Sequence, residues 1–291
     1  SDVENVATLL GLFRILPAEL DIGPLLAEAK RQLHEEADYL READHLRNYA
    51  LRLGDHATFA LPVVDADLTR PEVLVMSFVS GEPIESLADA PQAVRDRVGT
   101  QLWDLALREL LDWGLVQTDP NFANYRYDAA SGRIGLLDFG ATRSYSREGI
   151  AAFRGLLHAA LRGDRHAIGA AAAEVGYLGE RDDGAYRDAV AQLIYLAAEP
   201  ARTVGPFDFG ATDVARRVSE QVLTLRLDHR YGRLPPPEVL FLHRKLGGMY
   251  LLSQRLRARV DLGALLERHA GAQSGEWHDD PVPQVGPATL P

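Results

Sequence analysis

The chain has 291 residues, of which 46% are hydrophobic and 25% charged, which is typical of a globular protein large enough for two lobes. Its formal net charge of −11 argues against a nucleic-acid partner, because binding a phosphate backbone needs clustered Lys and Arg. The absence of cysteine excludes disulfides, zinc–thiolate sites and thiol catalysis. The compartment stays open, with the cytoplasm as the default expectation. No apolar run approaches the ~20 residues that a membrane helix needs.

The first part of the sequence predicts helices followed by two strands. Apolar residues recur with a helical period over residues 2–16, and a longer helical pattern runs from residue 25 to residue 53. Two runs rich in β-branched and aromatic residues, 59–64 and 73–79, predict strands joined by a turn. This order is typical of the outer part of a small sheet that leads into a hinge.

The rest of the sequence predicts a mainly helical lobe that contains one hairpin. An amphipathic helix is expected over residues 91–113 and should end at Gly114. Segments 125–128 and 134–137 flank a Gly-containing turn and predict the hairpin. Residues 146 to about 271 are predominantly helical in pattern, and the Pro-rich tail beyond them predicts disorder.

Three polar residues around the predicted hairpin have the order used for phosphoryl transfer in kinase-like folds. Asp119 is followed five positions later by Asn124, and Asp138 begins an Asp-Phe-Gly triplet after the second strand. Carboxylate and amide oxygens suit Mg²⁺, which commonly takes one or two protein ligands together with phosphates and water. Asp119 would accept a proton from the attacking hydroxyl or water, or orient it. A second Asp-Phe-Gly triplet, at 208–210, has no suitable Asn upstream and is interpreted as structural.

These motifs closely resemble the UbiB-like atypical kinases, the coenzyme-Q-biosynthesis kinase-like proteins. The resemblance extends from residue 1 to about residue 269. Its segments are EADYLREA at 36–43, QTDPNFAN at 117–124, LLDFGAT at 136–142, PFDFG at 206–210, PPPE at 235–238 and LHRKLG at 242–247.

The resemblance implies Mg²⁺ and ATP as cofactors and assigns roles to the three residues around the hairpin. Asp138 and Asn124 would bind Mg²⁺, and Asp119 would lie where kinases have the catalytic base. Glu42 would pair with a strand lysine that grips the nucleotide phosphates.

Two further elements of the site are also implied by the resemblance. Glu36 and Asp38 would belong to a family-specific element that faces the active site and restrains protein-kinase activity. The backbone of the hinge residues Ser77, Phe78 and Val79 would face adenine. Members of the family are associated with ATPase or small-molecule kinase activity, with quinone biosynthesis and with lipid membranes. We therefore expect a nucleotide partner, a lipid or quinone-precursor ligand, and peripheral contact with the inner face of the cell membrane.

The family's Lys-x-Gly-Gln extension, alanine-rich nucleotide loop and strand lysine would all precede the segment that matches Ser1. We therefore predict an α+β, mostly helical, protein-kinase-like fold with an incomplete N-lobe at residues 1–79 and a helical C-lobe at 80–270, before a disordered tail at 271–291. The favoured interpretation is a fragment of a longer protein. A naturally truncated pseudokinase is the alternative, and in either case the chain alone is expected to turn over poorly.

Two other functions remain open at this point. A small-molecule phosphotransferase of the aminoglycoside-kinase type has the same order of Asp, Asn and later Asp. The Glu36–Asp38 element and the C-terminal segments favour the UbiB-like interpretation over it. A non-catalytic scaffold that binds lipid or protein partners is the third hypothesis, and a lack of Mg²⁺-dependent nucleotide binding in the full-length protein would favour it.

Overall fold

The computed structural model describes residues 38–54, 56–228 and 235–271 of the chain. The predicted helix over residues 2–16, residue Glu36 and the tail beyond residue 271 lie outside these ranges. The α-helices are α1 (Tyr39–Leu53), α2 (Gln92–Leu107), α3 (Arg147–Arg162), α4 (Arg165–Val175), α5 (Gly184–Ala197), α6 (Glu199–Arg202), α7 (Val214–Asp228), α8 (Pro237–Leu256) and α9 (Leu262–Gly271). The strands are β1 (Phe59–Ala60), β2 (Glu82–Pro83), β3 (Leu115–Gln117), β4 (Tyr125–Asp128), β5 (Arg133–Leu136), β6 (Thr142–Ser144), β7 (Phe207–Asp208) and β8 (Arg259–Val260). The described part is thus mostly helical with small sheets, as predicted.

The strands form three small sheets. The largest has the order β1-β5-β4-β2, in which β1 runs parallel to β5 and the other pairs are antiparallel. Strands β3 and β6 form a separate antiparallel pair, as do β7 and β8. The hairpin β4–β5 confirms the prediction for residues 125–137. Gly132 in its turn has φ +72°, a left-handed conformation that glycine adopts without steric cost.

Of the predicted helix over residues 25–53, residues 25–37 lie outside the described ranges, and the described helix begins directly after Asp38. Its backbone is extended, and its carboxylate accepts hydrogen bonds from the amides of Leu40 and Arg41 at 3.1 and 3.4 Å. Aspartate at this position satisfies amides that have no partner within the helix, so α1 begins at Tyr39. Periodicity did not detect the boundary, because the apolar pattern continues across it.

The two predicted strands at 59–64 and 73–79 are much shorter in the structure. Only Phe59–Ala60 is a strand, and beyond it the two runs are joined by an isolated bridge between Val64 and Met76. The amide of Val63 donates to the Ser77 hydroxyl rather than to a carbonyl, and the preceding Pro62 has no amide hydrogen. A regular ladder therefore cannot extend through these residues.

The long predicted helix over 91–113 is confirmed, with a change of winding near its end. Helix α2 continues directly into a π-helical segment, Arg108–Trp113, and Gly114 ends it with φ +59°. One face packs into a hydrophobic core that is continuous from α1 through the hairpin to α9. No helix within the described ranges is long and apolar enough to cross a membrane.

The last helix is attached to this core by a buried histidine. His269 Nδ1 lies 2.8 Å from Asp112 Oδ2, and its Nε2 lies 3.0 Å from Asp104 Oδ1. Hydrogen bonds to Asp104 and then to Asp112 raise the pKa of His269 from 6.5 to about 9. Because Arg108 and Arg268 also pair with Asp104, α9 is held by a network of opposite charges.

We expect His269 to make the stability of the protein depend on pH between 7 and 9.5. The folded state retains a proton there that the unfolded state releases, so stability falls as the pH rises through 9. From pH 7 to pH 9.5, the free energy of unfolding of the parent should fall by about 1–2 kcal/mol more than that of the His269→Gln variant. Urea titrations at several pH values would measure this. The exposed His166, replaced by Gln, is the matched control. Equal pH slopes for the parent and His269→Gln would contradict the assignment.

Candidate functional site

The hairpin register brings Asn124 and Asp138 together. Tyr125 pairs with Leu136 at the open end of β4–β5, and the Leu137 amide donates to the Asn124 carbonyl at 3.0 Å. The residues just outside the paired strands are therefore neighbours, although they are far apart in sequence. Asn124 and Asp138 line the same small cavity, as the spacing predicts.

A second pair of strands fixes Asp119 beside them. Gln117 of β3 pairs with Thr142 of β6, and Thr118 donates to the carbonyl of Ala141 from both its amide, at 3.1 Å, and its hydroxyl, at 2.7 Å. Asp119 is the residue after Thr118, and Gly140 of the triplet is the residue before Ala141. The Thr118–Ala141 contact therefore places Asp119 beside the triplet. Each short ladder thus joins the Asp119–Asn124 loop to the Asp-Phe-Gly segment.

Both carboxylate oxygens of Asp119 accept hydrogen bonds from side chains. Asn124 Nδ2 donates to Oδ2 at 3.0 Å, and Arg244 Nη2 donates to Oδ1 at 2.6 Å. The side chains of Asp119 and Arg244 are 14% and 22% exposed, so the ion pair is largely shielded but still reachable from solvent. Arg244 was not predicted as a site residue, because it lies in a C-terminal segment far from the motifs that define the site.

Asp138 is a largely buried carboxyl group whose charge is not fully compensated. Burial raises its pKa above the ordinary value, and the negative charge of Asp119 raises it further. Hydrogen bonds with the amide of Gly140, at 2.9 Å, and with Glu42 act in the opposite direction. A cation bound beside Asp138 would stabilise its ionised form.

Helix α1 holds the backbone of the Asp-Phe-Gly triplet directly. Glu42 accepts from the Phe139 amide at 3.2 Å, and His45 Nδ1 lies 3.1 Å from the Phe139 carbonyl. Arg41 Nη2 donates to the Gly140 carbonyl at 3.3 Å. Glu42 and His45, three positions apart on α1, therefore both reach this segment. Arg41 and His45 were missed as site residues, since contacts with backbone atoms leave no spacing signal.

The remaining predicted site residues have less defined surroundings. Asp38 is exposed and caps α1, and its restraining role stays a prediction, as does that of Glu36 outside the described residues. Ser77 is exposed and its hydroxyl accepts from Val63, whereas the Phe78 side chain is 92% exposed. Val79 is partly buried and packs beside Gly135. That the backbone at 77–79 faces adenine also stays a prediction.

The side chains of Asp138 and Asn124 fit Mg²⁺ that is bound together with a nucleotide, rather than a metal ion held by protein groups alone. Within residues 38–54, 56–228 and 235–271, no group of three His, Asp or Glu side chains is arranged to hold a metal ion. Asp138 and Asn124 line one small cavity, and their side chains carry one carboxylate and one amide oxygen. Mg²⁺ with phosphate and water ligands commonly uses such a small protein contribution.

The second Asp-Phe-Gly triplet has a structural role, as the sequence predicts. Phe209 is completely buried and stacks on Trp103. Asp208 Oδ2 pairs with Arg259 Nε at 3.0 Å across the β7–β8 pair. The triplet therefore connects the C-terminal strands to the core, away from the cavity that contains Asp138.

Comparisons with known proteins identify one family. The ABC1 atypical kinase-like domain matches residues 1–172. The chain is 35% identical over 260 residues to atypical kinase COQ8B, mitochondrial, of Rattus norvegicus, covering 89% of this chain and 49% of that protein. It is 31% identical over 281 residues to atypical kinase coq-8, mitochondrial, of Caenorhabditis elegans, covering 95% and 37%. The chain thus spans about half or less of the length of these relatives.

A solved structure is similar in fold. It is a Mycobacterium tuberculosis protein determined in complex with erythromycin, and the TM-score is 0.64 at 20% sequence identity. The similarity covers 92% of this chain and 68% of that protein. At this identity the comparison supports the shared fold alone.

Adjacent glycines on α8 provide a test of how closely this helix packs on the Asp119–Asn124 loop. A Cβ at Gly248 would lie 1.9 Å from Pro120 Cβ, whereas a Cβ at Gly247 would meet nothing within 4 Å. We expect Gly248→Ala to cost about 1–3 kcal/mol of unfolding free energy, because the rigid proline cannot move aside freely. Gly247→Ala should stabilise the protein by about 0.5–1 kcal/mol, since alanine is the better helix former. Chemical denaturation of both variants measures this, and equal stabilities would refute the packing.

Proposed function

Because the chain belongs to the ABC1 atypical kinase-like family, we propose that it is part of an ATP- and Mg²⁺-dependent phosphotransferase or ATPase. The observation that carries the proposal is the convergence of Asp119, Asn124 and Asp138, which two strand pairs bring to one partly buried place. This is the arrangement that phosphoryl transfer requires, because its catalysis depends on positioning and charge stabilisation rather than on covalent chemistry.

Each residue of the site has a role in this proposal. Asp138 and Asn124 bind the divalent ion with their carboxylate and amide oxygens. Bound Mg²⁺ would neutralise the phosphate charge that develops during transfer. Asp119 orients the attacking hydroxyl or water and accepts its proton. Glu42 positions the triplet through Phe139 and would pair with a nucleotide-binding lysine supplied from elsewhere in the full-length protein.

The segment after the triplet favours a small acceptor, or water, over a protein substrate. In protein kinases a long activation segment follows Asp-Phe-Gly and carries the regulatory phosphorylation site. Here strand β6 begins almost at once, and only Tyr145 and Ser146 separate it from α3. Tyr145 is itself fixed, since its hydroxyl donates to the Glu238 carbonyl at 3.0 Å. This supports small-molecule phosphotransfer or ATP hydrolysis.

The biological setting is proposed from the family relationship. The similarity to COQ8 atypical kinases supports a role in ubiquinone or related isoprenoid-quinone metabolism. A lipid or quinone-precursor ligand, a cytoplasmic location and peripheral membrane contact are parts of the same proposal. A pseudokinase scaffold is the alternative that a nucleotide-binding experiment would distinguish.

The first test is Asp138→Asn in the full-length protein. Removing this carboxylate should abolish Mg²⁺-dependent nucleotide binding and ATP turnover, because the remaining amide oxygens do not provide the charge that the ion needs. Calorimetric titration with ADP, with and without Mg²⁺, measures the binding. The matched control is Asp208→Asn in the second triplet, which should bind nucleotide as the parent does.

Retention of Mg²⁺-dependent binding by Asp138→Asn would contradict the assignment of this residue. Equal losses in Asp138→Asn and Asp208→Asn would show that the effect is on folding rather than on the metal site. Absence of any binding by the parent would favour the scaffold over the enzyme.

A further inference from the structure

The carboxylate expected to act on the acceptor is paired with a cation from the far C-terminal helix. Arg244 of α8 donates to Asp119 Oδ1 at 2.6 Å, across 125 residues of sequence. Asn124 donates to the other oxygen. Each carboxylate oxygen offers about two acceptor sites, so both retain capacity for a substrate hydroxyl. The two donors therefore fix the orientation of the group without using up its acceptor sites.

Helix α8 presents Arg244 from a rigid position. The neighbouring Lys245 Nζ lies 2.9 Å from Glu109 Oε2, and both side chains are almost completely buried. One turn later, the backbone at Gly248 lies against Pro120, the residue that follows Asp119. The buried ion pair and the close backbone contact both lie within four residues of Arg244, on its C-terminal side. Its guanidinium is thus held next to the catalytic loop by contacts that do not involve Asp119.

The geometry of this contact has a consequence for the site. The planar guanidinium of an arginine holds a carboxylate in a defined direction. Together, Arg244 on Oδ1 and Asn124 on Oδ2 therefore fix the direction of the Asp119 carboxylate.

We propose that Arg244 is a positioning residue for phosphoryl transfer, which holds the Asp119 carboxylate directed at the acceptor. This inference rests on the proposed function. In the step it supports, the acceptor oxygen forms a bond to the γ-phosphorus of ATP as the bond to ADP breaks. The acceptor proton passes to Asp119. Arg244 acts through Asp119, so its contribution should disappear when Asp119 cannot accept a proton.

The experiment is a double-mutant cycle in the full-length protein with ATP and Mg²⁺. Arg244→Gln should lower kcat by about 10- to 100-fold, because a misplaced catalytic group loses about that much. The dissociation constant for Mg-ADP should stay within about threefold of the parent value, since Arg244 donates to Asp119, which is not one of the proposed metal ligands. Arg244→Lys retains a cation and should recover part of kcat. In an Asp119→Asn background, Arg244→Gln should have no further effect.

Arg255→Gln is the matched control, because Arg255 lies on the same helix, is 63% exposed and is 3.9 Å from its acidic partner Glu85. It should leave kcat unchanged. If Arg244→Gln does not fold, Arg244→Lys gives the same comparison with a smaller loss expected. An unchanged kcat for both Arg244 variants would overturn the inference, as would an equal loss in the Asp119→Asn background. A parent without turnover would overturn the proposed function itself, and the inference with it.

Discussion

The site depends on two short antiparallel strand pairs that connect the same two loops. The β4–β5 ladder places Asn124 next to the strand end that carries Asp138, and the β3–β6 ladder places Asp119 next to Ala141. With one ladder alone, the loops could pivot about their single attachment. Two ladders attach each loop at two points. The polar groups of the site therefore keep one arrangement, although they are distant in sequence and the strands are short.

Helices from opposite ends of the described chain stabilise this arrangement. Helix α1 contacts the backbone of the Asp-Phe-Gly triplet through Glu42, His45 and Arg41. Helix α8 contacts the other loop through Arg244 and through the close approach of Gly248 to Pro120. The carboxyl groups of the site therefore face a guanidinium and backbone amides. The remaining negative charge on Asp138 is what a divalent ion would balance.

Sequence reasoning was most successful where a local pattern determines the structure. The hairpin, the helix ended by Gly114 and the grouping of Asn124 with Asp138 follow from periodicity, a glycine and spacing, and the family match confirms the kinase-like fold. It failed at the strand of residues 73–79, where a side chain replaces the backbone partner of Val63. Arg244 could not be predicted from spacing, because its partner lies 125 residues away and only the fold brings them together.

The central claim is that Asn124 and Asp138 together bind one divalent ion with a nucleotide. Crystals of the full-length protein grown with Mn²⁺ and ADP would test it most directly, because Mn²⁺ replaces Mg²⁺ at oxygen sites and scatters anomalously. The account predicts an anomalous peak in contact with the Asp138 carboxylate, the Asn124 amide oxygen and a phosphate oxygen of ADP. A peak that contacts neither side chain, or ordered ADP without Mn²⁺ at this site, would contradict it.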